Sequence, residues 1–173
     1  MRKIIKIVVI LIVTGLLGYM VFQISDKLKT RKELSEQIQS LPDFKFQLMD
    51  GDSFTNSDLK KNQPVVIVYF NPKCEECQYE VQQIRDNVDA FQGVELLLVT
   101  PAKKEVLLEF YKDYDLDKHP QITVLMDKND NFHSVFGPAS YPTVFIYNSS
   151  RQLVKQYRGE TKVEAVLKAV RQG

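Results

Sequence analysis

Between Pro64 and Phe70 the chain reads PVVIVYF, an unbroken run of β-branched and aromatic residues. A strand that buries only one face alternates apolar with polar. A continuous run reads instead as a strand covered on both faces, near the centre of a sheet with helices on either side. The next segment fits that placement. Cys77, Val81, Ile84, Val88 and Phe91 recur at steps of three and four, which gives one helical face. Between strand and helix, in FNPKCEECQYE (70–80), stand the only two cysteines, Cys74 and Cys77.

The rest of the chain repeats this alternation. FKFQLM (44–49) has period two, and the turn DGD leads to a second short extended piece at 53–55. VELLLVT (94–100) predicts the next strand, and 103–114 a helix with Val106, Leu107, Phe110 and Tyr114 inward. ITVLM (122–126) is a further strand, closed by the turn residues DKNDN. TVFIYN and LVKQY form a hairpin around SSRQ, and a last amphipathic helix carries Val163, Val166, Leu167 and Val170. The class is therefore α/β, a mixed sheet with helices on both faces, an N-terminal hairpin extension, and antiparallel edge strands from the closing hairpin. A length of 173 residues, 44% of them apolar, suffices for one domain with a core. Residues 42–173 hold 19 acids against 16 bases, and no phosphate-cradling glycine loop is present, so nucleic acid is not an expected partner.

The amino terminus has another character. MRKIIK is basic, and Ile7 to Ile24 runs without a charge. Eighteen helical residues span roughly 27 Å, close to the hydrocarbon thickness of a bilayer. The region after Gly18 has no small residues of the A-x-A cleavage type, and no cysteine follows the run for lipid attachment, so residues 1–24 read as an uncleaved signal anchor, with membrane contact over 4–24. The expected location is the bacterial inner membrane, single-pass, with the bulk of the chain on the extracytoplasmic side. Residues 25–41 predict a short helical stalk with Leu34, Ile38 and Leu41 on one stripe, ended by Pro42. Residues 42–173 form the domain.

At a strand-to-helix junction, free N–H groups and the helix dipole favour a thiolate. A gap of two residues lets the sulfurs meet across one turn. Cys77 shares the inward stripe with Val81 and Ile84, so Cys74 is expected to attack and Cys77 to resolve. Zinc would need ligands from His119 and His133, whose spacing matches no common zinc motif, so no metal is expected. A structural disulfide across two residues would constrain little of the unfolded chain. Glu75 and Glu76 suit a helix N-terminus, yet their charge opposes a thiolate at Cys74, while Lys73 favours it. One unit of thiol pKa is worth about 1.4 kcal/mol, or roughly 30 mV for a two-electron couple. The expected potential lies on the reducing side.

Residues 42–173 resemble membrane-anchored thioredoxin-like proteins of the reducing extracytoplasmic group, typified by cytochrome c maturation reductants and related redoxin-domain proteins. The resemblance rests on FQLMDGDSFTNSDLKKNQPVVIVYFNPKCEEC, on SYPTVFIYN and on YRGETKVEAVLKAV. It implies a thioredoxin-like fold, dithiol exchange at Cys74 and Cys77 without a cofactor, and protein disulfides and a membrane or extracytoplasmic electron donor as partners. It also implies a cis bond before Pro142, facing the CxxC, with Tyr141 offering backbone groups to an extended substrate. CxxCxxE places Glu80 beside the site. VVIVYF has no buried acid and TPAKK none after the next strand, so proton handling by a side chain falls to Glu80, the alternative being a solvated helix carboxylate. The tryptophan that precedes the thioredoxin pair is replaced by Lys73. Three other readings stay open: a thiol peroxidase, although its PxxxTxxC pattern meets Ile67 and Asn71; a copper-handling protein using His133; and a tethered binding module.

Overall fold

The computed structural model describes residues 15–23, 25 and 36–173. Two compact units divide the chain, Met1–Gln37 and Ile38–Gly173. In the first, residues 15–23 are helical (α1) and exposed, with the Gln23 amide donating to Tyr19 Oη at 2.7 Å. Half of the expected membrane span, Ile7 to Ile24, lies outside the described residues. Among those described, no helix is long and apolar enough to cross a membrane.

In the second unit β1 (Lys45–Leu48), β2 (Ser53–Thr55), β3 (Val65–Tyr69), β4 (Glu95–Thr100), β5 (Ile122–Met126), β6 (Thr143–Tyr147) and β7 (Leu153–Arg158) form one sheet in the order β2-β1-β5-β4-β3-β6-β7. The pairs β3–β4 and β4–β5 are parallel, and the other four are antiparallel. The helices are α2 (Glu75–Asp86), α3 (Lys104–Asp113), α4 (Phe132–Phe136) and α5 (Val163–Gln172). This is the expected thioredoxin-like α/β fold, with β3 buried along its whole length.

Right-handed crossovers explain the layers. The steps β3 to β4 and β4 to β5 move the same way across the sheet, so α2 and α3 cover one face. Between β5 and β6, α4 packs on the other face, through Phe132 and Phe136. Side chains follow with period two. Val66 and Val68 join Cys77, Val81, Ile84, Leu107 and Val166 in one core. Val65, Ile67 and Tyr69 join Phe46, Phe132, Phe136 and Phe145 in the other.

Several expectations need correction. The compact unit starts at Ile38, four residues before the expected boundary, because Ile38 and Leu41 are buried in the second core rather than lining a stalk. There the backbone pairs with the closing hairpin: Leu41 N–H donates to Arg151 O and Leu153 N–H to Gln39 O, both at 2.8 Å. Helix α2 stops at Asp86, and Val88–Phe91 form a separate 3-10 turn that still buries Val88 and Phe91. Of the closing hairpin only β7 is an edge, since β6 pairs on both sides. Helix α4 was not anticipated. The acid that begins the turn run, Asp127, is buried and accepts the Asn131 and Phe132 N–H groups at 2.9 Å each, which starts a helix where a plain turn was read.

Candidate functional site

Beyond β3 the backbone turns on Asn71. Its side-chain oxygen accepts the Lys73 N–H and its carbonyl the Cys74 N–H, both at 3.0 Å, an Asx turn that aims the chain into α2. Cys74 becomes the N-cap residue, extended at φ −94° and ψ 123°, and its carbonyl accepts the Gln78 N–H at 3.0 Å. The Gln78 side chain reaches back to Pro72 O at 2.7 Å and locks the turn. Cys74 is half-buried and Cys77, one turn further on, is 0% exposed. Both are free thiols.

The two sulfurs lie in different fields. Burial drives the Cys77 thiol above the ordinary thiol range, opposed by the Asn71 N–H that points at its sulfur from 3.5 Å and reinforced by Cys74 and Glu80. The Cys74 thiol donates to Glu76 Oε2 at 3.2 Å. The Glu76 carboxyl is held below the ordinary range first by its own backbone N–H and then by that thiol. Of the expected tuning residues, Glu76 therefore contacts Cys74. Lys73 and Glu75 are exposed. Glu80 lies three residues after Cys77 on the inner face of α2, 1% exposed, and neither carboxylate oxygen has a hydrogen-bond partner among the described residues. Burial, helped by the charge of Glu160, pushes it up to about 8. It is not a solvated helix carboxylate.

The Tyr141–Pro142 bond is cis, as the resemblance implies. Tyr69 pairs with Thr143 at the last position where β3 meets β6, so Tyr141 and Pro142, just before β6, lie at the sheet end where β3 leads into the Cys74 turn. Tyr141 is 37% exposed. Its hydroxyl lies 3.2 Å from that of Tyr69, which lies 3.4 Å from His133 Nε2. His133 Nδ1 accepts the Ala139 N–H at 3.4 Å. Both nitrogens of the histidine considered for copper are thus engaged on the far face of the sheet from Cys77. Among the described residues no cluster of three His, Cys, Asp or Glu side chains could hold a metal ion. An open groove of about 600 Å³ runs between α2 and α3 from Pro72 and Lys73 past Gln78, Gln82 and Arg85, and contains neither cysteine.

Residues 38–156 match the AhpC/TSA family, which spans β1 to most of β7 and the whole cysteine turn. The chain belongs to the AhpC/TSA family. No curated protein matches it. Among solved structures, this family member is similar to a secreted disulfide oxidoreductase of Mycobacterium tuberculosis homologous to E. coli DsbE. The identity is 18%, the match covers 80% of this chain and 98% of that one, and the TM-score is 0.64. StoA from Bacillus subtilis matches at 18% identity over 76% and 98% of the two chains, TM-score 0.61. The peroxidoxin BcpB of M. tuberculosis matches at 17% over 77% and 94%, TM-score 0.66. Identities this low show the shared fold. They leave the reaction to the site.

The structure of this AhpC/TSA-family chain gathers Cys74, Cys77, Glu76 and Glu80 around the first turns of α2, and sets Tyr141 and Pro142 at the same end of the sheet. Three contributors went unread in the sequence. The Asx turn at Asn71 was legible, since Asn-Pro is a turn signal. Tyr69 hid inside an apolar run that gives no hint of a polar partner, and Glu160 acts through space with no sequence mark.

Proposed function

We propose that this chain is a thiol–disulfide oxidoreductase that reduces disulfides of other proteins through Cys74 and Cys77, tethered to a bacterial inner membrane by residues 1–24 with its domain outside the cytoplasm. One observation carries the reading: a half-buried cysteine stands at the N-cap of α2 while its partner, one turn away, is sealed from solvent near a buried acid that has no hydrogen-bond partner among the described residues.

The asymmetry orders the steps. The Cys74 thiolate attacks a substrate disulfide, the S–S bond breaks, and the displaced substrate sulfur leaves as a thiolate that takes a proton from solvent. Cys77 then gives its proton to the Glu80 carboxylate and attacks the Cys74 sulfur. The mixed disulfide breaks, and the second substrate sulfur leaves and is protonated. Two electrons pass to the substrate, whose disulfide becomes two thiols, and the pair closes into a bridge. An external dithiol protein or membrane-bound thiol carrier restores it. Cys74 attacks from the N-cap of α2, the end of a helix that favours an anion.

Membership of the AhpC/TSA family and the likeness to a peroxidoxin favour a second reading, peroxide reduction. Ile67 and Asn71 stand where the PxxxTxxC pattern needs Pro and Thr, and Asn71 is occupied with the turn. Reduced full-length chain offered insulin or hydrogen peroxide should consume the protein disulfide and oxidise no faster with peroxide than a free thiol does. Preferential peroxide turnover would replace the proposal with the second reading. For the location, a membrane-impermeant maleimide added to intact cells should label Cys74. Labelling only after lysis would place the domain on the cytoplasmic side.

A further inference from the structure

Tyr69 ends β3 with its side chain fully buried, and its hydroxyl still has two partners. The protons of this chain of contacts can be assigned in order. A backbone N–H only donates, so Ala139 requires a lone pair on His133 Nδ1. A neutral imidazole then carries its proton on Nε2 and donates it to Tyr69 Oη. Tyr69 in turn gives its own proton to Tyr141 Oη. That leaves the Tyr141 O–H free to donate outward, from the one exposed member of the three, at the sheet end shared with Cys74.

The rings are clamped as well. Phe132 stacks on Tyr69 at 3.9 Å and 8°, the His133 ring meets it edge-on at 5.4 Å and 85°, and the Tyr141 ring lies at 4.9 Å. Phe132 and His133 belong to α4, whose start Asp127 fixes. The loop before β6 is therefore tied to α4 twice, by Ala139 and by the hydroxyl chain. The fold alone does not require this. Tyr147, also buried in the second core, has a hydroxyl with no partner among the described residues.

We propose that Tyr69 and His133 are positioning residues that hold Tyr141 as a hydrogen-bond-donating ledge at the sheet end that carries Cys74, and that this ledge selects extended protein segments, through a backbone carbonyl, over small disulfides. The selection half rests on the oxidoreductase reading above; the positioning half does not.

The test uses reduced full-length chain with insulin as the protein disulfide and bis(2-hydroxyethyl) disulfide as the small one. Tyr69→Phe keeps the buried ring and removes both hydroxyl contacts. Its preference for insulin over the small disulfide should fall about fivefold, the worth of one neutral hydrogen bond, through KM for insulin rather than kcat. His133→Leu should do the same, and His133→Gln, which restores an N–H donor, should recover most of the preference. In parallel, the Tyr141 ring resonance, assigned by its loss in Tyr141→Phe, should shift and narrow in Tyr69→Phe as the ring is released. An equal change toward both disulfides, or no change in preference, overturns the selection. An unaltered Tyr141 resonance overturns the positioning. If the wild-type chain reduces neither disulfide, the oxidoreductase reading and the selection fall together, while the resonance still decides the positioning.

Discussion

Cys77→Ser should accumulate a mixed disulfide with partner proteins, while Cys74→Ser should form none, and each should lose steady-state turnover by at least about 10³-fold, as removal of a member of a covalent catalytic unit does. The expectation follows from where the two sulfurs sit. Cys74 is within reach of an outside disulfide at the N-cap of α2, and Cys77 is 0% exposed behind it. A serine at position 77 leaves the first attack intact and takes away the group that releases the product. A serine at 74 leaves a thiol that no protein disulfide can approach. That thiol is held above its ordinary range mainly by burial, so it has little thiolate to offer. Partners captured in intact cells and counted by mass spectrometry decide the matter. Equal trapping by the two variants would reverse or dissolve the assigned order and remove the observation on which the proposed function stands.

Why so much of this could be read from the chain, and why some could not, comes down to the range of each interaction. The β3 run and the Cys77–Val81–Ile84 stripe are local patterns with periods of their own, so the junction that carries the pair was legible, as were β5 and the hairpin closed at Tyr147 and Leu153. The stripe Leu34, Ile38, Leu41 has a helical period too, but what fixes Ile38 and Leu41 is a bridge from Ser40 to Gln152, more than a hundred residues away, and no local pattern encodes it. Helix α4 is five residues long, too short for a periodic signal, and its start depends on one buried carboxylate reaching over a turn. Glu80 was marked by the family resemblance, through CxxCxxE. Its burial, its lack of partners and the field of Glu160 are properties of the packed site alone.

Glu80→Gln should slow the Cys77-dependent release step about 10²-fold at pH 9, the usual worth of a positioned general base, and should change the form of its pH dependence. Only the ionised carboxylate can take the Cys77 proton. With Glu80 pushed up to about 8, the wild-type rate should climb through pH 7 and 8 and level off above. The glutamine variant should keep climbing, because only ionisation of Cys77 itself, which burial holds above the ordinary range, then supplies the nucleophile. A single-turnover pH series on the mixed disulfide distinguishes the two curves, and superposable curves would mean Glu80 takes no part in proton transfer. The same substitution makes a second, independent expectation about stability. A carboxyl whose folded value lies above its unfolded one binds more protons when folded, so its contribution is whole below about 4.5 and is lost as pH rises through about 8. Above that, the wild type carries a buried, unpaired charge that the variant does not. Between pH 5 and 9 the wild type should therefore lose, relative to Glu80→Gln, on the order of a few kcal/mol at about 1.4 kcal/mol per unit, measured by urea unfolding at the two ends. The acid that makes Cys77 competent is thus a strain on the fold at the pH where it works best. Stability that fell equally in both proteins would place the charge in solvent and take the proton acceptor with it.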